Sequence, residues 1–146
     1  MHIETLNKLL KDELSSVETY QQVLEKIQED ATLGDAAYIT PIYEEHKEAA
    51  ASLQGQIRNL GGTPSEDSGA WGTWAEIVQG GANMLGKGAA LKALQEGEKS
   101  GAEDYEEALQ ESDLPEEARS LIQTKLLPAQ QSHIRTLERL LDVAAA

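Results

Sequence analysis

Apolar residues recur along this chain at steps of three and four, and that spacing leaves little choice of secondary structure. From Ile3 the series runs through Leu6, Leu9, Leu10, Leu14, Val17, Tyr20, Val23, Leu24 and Ile27. Residues so spaced share one face of an α-helix, which predicts a first helix over 3–29. A turn is expected at Thr32-Leu33-Gly34-Asp35. A second series, Ile39, Ile42, Ala49, Ala50, Leu53, Ile57 and Leu60, predicts a helix over 36–60 with a bend near Pro41. Gly61-Gly62-Thr63-Pro64 stops it, since glycine suits a left-handed cap and proline cannot continue a helix. Leu91, Leu94, Ala102, Tyr105, Ala108 and Leu109 predict a third helix over 89–111. Ser112-Asp113 then reads as a cap and Pro115 as a first-turn residue. Ala118, Leu121, Ile122, Leu126, Ala129, Leu137, Leu140 and Leu141 predict a fourth helix over 114–143, kinked at Pro128.

Between the second and third helices lies a glycine-rich stretch, 61–88. It reads as a linker over 61–69, a short amphipathic helix over about 71–85, and a break at Gly86-Lys87-Gly88. Its glycines lack the spacing of a phosphate-binding loop. Trp71, Trp74, Ile77, Val78, Met84 and Leu85 form an apolar stripe. A stripe of that kind suits a homodimer contact or the flank of its own bundle equally. Two helix hairpins joined by a long crossover make an all-α four-helix bundle.

Composition narrows the function. The chain has 146 residues, enough for a single domain with a core. Twelve Lys+Arg against 26 Asp+Glu leave a net charge of −14. That argues against nucleic acid, whose phosphates need cationic partners, and against a polybasic membrane contact. With no cysteine there is no disulfide, thiolate metal site or cysteine nucleophile. No apolar run reaches the roughly 18 residues of a membrane span, and the start Met1-His2-Ile3-Glu4 does not read as a signal peptide. A soluble cytoplasmic protein is the expectation. No Ser–His–Asp or paired-acid hydrolase pattern is present.

The informative residues are polar ones at core positions. At 100° per residue, Glu13 falls inside the arc of Leu6, Leu10, Val17 and Tyr20. His46 lies at the centre of the second face, Glu98 of the third and His133 of the fourth. Each helix thus points one ionisable group inward, although a buried charge costs several kcal/mol unless it is paired. The two halves also echo each other. Glu13 and Tyr20 are seven residues apart, as are Glu98 and Tyr105, and the pairs are offset by 85. Tyr43-x-x-His46 and Gln130-x-x-His133 are offset by 87. Two copies of one hairpin would bring these groups to a common level about a pseudo-twofold axis.

On these residues the chain resembles the ferritin-like superfamily, in which a Glu from two helices and E-x-x-H from the other two hold two irons. Leu6-Asn7-Lys8-Leu9-Leu10 followed by Glu13-Leu14 is similar to the first helix of bacterioferritin. Gly97-Glu98, Tyr105-Glu106-Glu107-Ala108-Leu109 and Leu114-Pro115 resemble an uncharacterised bacterial family of small ferritin-like domains. The resemblance spans most of the chain outside the crossover. It implies metal ligation by Glu13, His46, Glu98 and His133, and a role in iron handling or oxidative stress. The departure from the pattern matters equally. Tyr43 and Gln130 stand where the bridging glutamates would be, and Glu45, at the edge of the face, does not restore the spacing. Two carboxylates and two neutral imidazoles balance one divalent ion better than two ferric ions, which puts a ferroxidase in doubt.

Two readings follow. In one, the four residues form a mononuclear or weakened dinuclear site, a degenerate di-metal centre better suited to one ion than two, for iron, manganese or zinc, all compatible with imidazole and carboxylate. Tyr20, Tyr43, Tyr105 and Gln130 would then be outer hydrogen-bonding groups. In the other, the four form buried Glu–His pairs in a non-catalytic structural or interaction protein that has lost its metal. Under either, no ferritin-type cage is expected.

Overall fold

The computed structural model describes residues 2–29, 36–66 and 87–145. The expected turn at 32–35, the short helix over 71–85 and the tryptophan stripe lie outside these residues. Helix α1 spans His2–Glu29, α2 Ala36–Asn59 and α3 Lys87–Leu109. Helix α4 (Glu116–Leu121), a π-helical turn (Ile122–Leu126) and α5 (Leu127–Ala145) run end to end as a fourth rod. Among the described residues there is no β-strand, so the expected all-α, four-rod bundle is found, with ends shifted by one or two residues. No described helix is long and apolar enough to cross a membrane.

Local chemistry explains how the rods end and join. At the end of α2, Gly61 has φ +82°, and its N–H bonds to the Arg58 carbonyl (2.9 Å) while the Gly62 N–H bonds to that of Ile57 (2.9 Å). This is a Schellman cap, and the positive φ is why glycine stands at 61. Asn7 fixes the chain that follows: its amide donates to the Thr63 carbonyl (3.1 Å) and its carbonyl accepts from the Ser65 N–H (2.9 Å). The end of α3 is closed from a distance. Arg119 donates to the Leu109 carbonyl (2.7 Å), an acceptor at the helix end, and to the Glu111 carbonyl (2.6 Å) just beyond it.

The fourth rod departs from expectation in two ways. Neither Ser112 nor Asp113 caps it; Pro115 holds the N-cap position and no side chain makes a capping bond. Glu116 and Glu117 occupy the first turn instead, where the helix dipole favours negative charge. The second departure is the π turn. The Leu127 N–H bonds to the Ile122 carbonyl, five residues back rather than four. Pro128 follows immediately, with no N–H to give and a ring that crowds the carbonyl of the preceding turn. Widening the ladder there lets the rod pass through Pro128. Helix α2 likewise continues through Pro41.

The rods pack as antiparallel neighbours: Thr5 on α1 bonds Glu111 beyond α3, while Tyr20 meets Glu98 further back along α3. The apolar faces make two half-cores. One gathers Leu6, Leu10, Leu53, Ile57, Tyr105 and Ile122. The other gathers Tyr20, Ile27, Ile39, Ile42, Leu94 and Leu137. Buried Ser16 and Thr19 return their hydroxyls to the Asp12 and Ser15 carbonyls of their own helix. Between the half-cores lies a layer of ionisable groups.

Candidate metal centre

Each rod delivers one side chain to this layer. Glu13, His46, Glu98 and His133 are 2%, 1%, 0% and 4% exposed. They form a chain of contacts rather than a ring. His46 Nδ1 meets both oxygens of Glu13 (3.1 and 3.0 Å), and its Nε2 meets Glu98 Oε2 (2.6 Å). The other oxygen of Glu98 lies 3.3 Å from His133 Nδ1. His133 Nε2 in turn meets Glu45 Oε1 at 2.8 Å. The two imidazole centroids are 4.8 Å apart. One donor atom each from His46, Glu98 and His133 lies within 4.8 Å of the others.

Glu13 is therefore behind His46, on the far side of the ring from Glu98. A carboxylate on one imidazole nitrogen fixes the ring and leaves the other nitrogen directed at a ligand, an arrangement common around metal-binding histidines. Glu45 stands in the same relation to His133. The periodicity of α2 placed Glu45 at the edge of the core-facing arc, and its reach across to the fourth rod carries no signature in spacing. The only hint was its place beside His46.

The outer groups divide. The Tyr20 hydroxyl donates to Glu98 Oε2 at 2.5 Å, and its ring stacks on His46 at 5.3 Å. Gln130 donates its amide to the Glu98 backbone carbonyl (3.1 Å), facing Gly101, where a Cβ would come within 2.5 Å of that amide. The side chain standing in for a bridging glutamate is thus spent on backbone, and glycine at 101 makes the room. Tyr43 is partly buried against the apolar half-core, with the Lys47 ammonium 5.2 Å from its ring centroid. The Tyr105 hydroxyl is buried near Glu13 but makes no hydrogen bond of acceptable geometry.

Electrostatics follow from burial and adjacency. Burial pushes the Glu98 carboxyl up, but His46 and His133 outweigh it and lower its pKa from 4.5 to about 2. Burial pulls His46 down, yet Glu98 and Glu13 outweigh it and raise its pKa well above 6.5, which favours the protonated ring between the two carboxylates. Burial first, then the adjacent Glu98, raises the Tyr20 phenol well above 10.0 and keeps it a neutral donor. For Tyr105, burial followed by Glu13 does the same.

The donor set could hold a metal ion. Imidazole nitrogen and carboxylate oxygen accept iron, manganese or zinc, and the groups that would hold the ion are His46, Glu98 and His133. A second ion finds no bridging carboxylate at Tyr43 or Gln130.

The sequence pattern of a family described as a domain of unknown function, DUF2383, matches residues 1–111, which include Glu13, Glu45, His46 and Glu98. No curated protein and no solved structure matches the chain.

Proposed function

The chain belongs to the DUF2383 family, and from that premise we propose that it is a ferritin-like metal-handling protein that binds a single iron(II) or manganese(II) ion through His46, Glu98 and His133. One observation carries the reading. Both ring nitrogens of both histidines face carboxylate oxygens. Two neutral imidazoles have one N–H each, so these contacts lack two positive charges. One divalent ion makes up that deficit. Glu13 and Glu45 orient the two rings, and the Tyr20 hydroxyl steadies Glu98. A bound iron or manganese would supply one-electron redox chemistry, which supports a role in metal homeostasis or oxidative stress.

The second reading, a structural protein with buried Glu–His pairs, is favoured by the fact that each ring nitrogen already has a carboxylate neighbour. Elemental analysis separates the two. Protein produced with added iron or manganese and then desalted should retain about one ion per chain, and His133→Gln should lose it. A metal-free preparation that also fails to take up Co²⁺ on titration would leave only the structural reading. We further propose a small assembly, with dimer contact through the crossover, rather than a cage; light scattering of a cage-sized particle would overturn that.

A further inference from the structure

We propose that Glu45 is the carboxylate that receives the incoming cation, and that the edge between α2 and α5 where it stands is the inlet to the buried centre. The inference rests on the single-ion reading above and adds a route to it. Glu13, His46 and Glu98 are sealed, with side chains 2%, 1% and 0% exposed, and His133 is only 5% exposed. Glu45 alone in the chain of contacts reaches water, at 49%. Its Oε1 is also 2.8 Å from His133 Nε2. One side chain therefore touches both the solvent and a metal-binding ring.

Charge favours the same direction of travel. A net charge of −14 surrounds the site with a field that concentrates cations. Neighbouring Glu44 is engaged by Lys47 at 3.7 Å, whereas the described contact of Glu45 leads inward. A hydrated divalent ion meeting this carboxylate exchanges water for oxygen, and the His133 ring is the next group inward, with its Nδ1 on the Glu98 side. Movement of Glu45 from His133 to the ion releases the ring, which remains tethered to Glu98 through Nδ1. The residue acts before binding is complete, so its signature is kinetic.

The test uses Co²⁺ and the intact chain in stopped-flow absorbance. Glu45→Gln keeps the size and a hydrogen-bond acceptor for His133 but removes the charge. It is expected to slow Co²⁺ association by about tenfold at low salt, with the difference shrinking at high salt and dissociation little changed. Glu48→Gln removes an exposed carboxylate one turn along α2 and should change association less than about twofold. Far-UV circular dichroism checks that both variants fold. Unchanged association in Glu45→Gln overturns the proposal, as does a loss confined to dissociation, which would make Glu45 only a support for His133. Equal slowing by Glu48→Gln also overturns it, since bulk charge would then suffice. Wild-type protein that binds no Co²⁺ removes the centre itself, a result distinct from a centre that fills normally without Glu45.

Discussion

Glu98→Gln tests the centre at its middle. The carboxylate is fully buried, accepts from Tyr20 at 2.5 Å and His46 at 2.6 Å, and faces His133 at 3.3 Å. Burial raises its pKa, the histidines more than reverse this, and the result is a fall from 4.5 to about 2. At 1.36 kcal/mol per pH unit that interval corresponds to about 3 kcal/mol of stability in the metal-free protein. Breaking one side of a buried ion pair costs about 3–5 kcal/mol, the same size. The sign follows from the depressed pKa. The contribution is complete above 4.5, where the unfolded chain is also ionised, and is lost as pH falls through about 2. Glutamine fills the same volume without the charge. Metal-free Glu98→Gln should therefore lose about 3 kcal/mol near pH 6, or roughly 10 °C in Tm. The assay is urea unfolding in chelator followed by far-UV circular dichroism, repeated down to about pH 3, where the gap between wild type and variant should fall below half. Midpoints that coincide near pH 6, or a gap that keeps its size in acid, would refute the ion-paired layer.

Three further outcomes are expected. Because Glu98 and Glu13 overcome burial and hold His46 above 6.5, its Nε2 proton must leave before a cation binds there. Co²⁺ affinity measured by titration should then rise with pH, by up to about tenfold per pH unit until His46 titrates; the stability that His46 gives the metal-free protein runs the other way, complete below 6.5 and lost as pH rises through its folded value. Gly61→Ala places a side chain at φ +82° and should lower stability by about 1 kcal/mol in urea unfolding. Arg119→Ala removes the bonds to the Leu109 and Glu111 carbonyls and should lower it by about 2 kcal/mol in the same assay, with metal content unchanged.

Much of this molecule was legible in its sequence, for a physical reason. Helical periodicity fixes which face a residue occupies, so the apolar series defined the rods and the burial of Glu13, His46, Glu98 and His133. Periodicity does not say how far a side chain reaches or which of its atoms faces which neighbour. Glu13 therefore resolved as a group behind His46 rather than a member of the three-donor set. Glu45, half exposed at the edge of an arc, became visible only when the fourth rod was in place. Pro128 was expected to kink the fourth rod; what stands just ahead of it is a π turn, a matter of hydrogen-bond register that proline's presence alone does not choose. The Ser112-Asp113 cap failed because cap residues are common in turns that cap nothing; Pro115 holds the position.

The layer between the two half-cores also bears on how the rods find their heights. Greasy helices can slip past each other by a turn, about 5.4 Å, and exchange one leucine contact for another. Here such a slip would strand the Glu98 charge among leucines and leave two imidazoles facing nothing that can accept their protons. The four inward-facing groups thus work as a vernier: only one axial alignment lets all of them coincide, and every misaligned bundle is penalised by several kcal/mol.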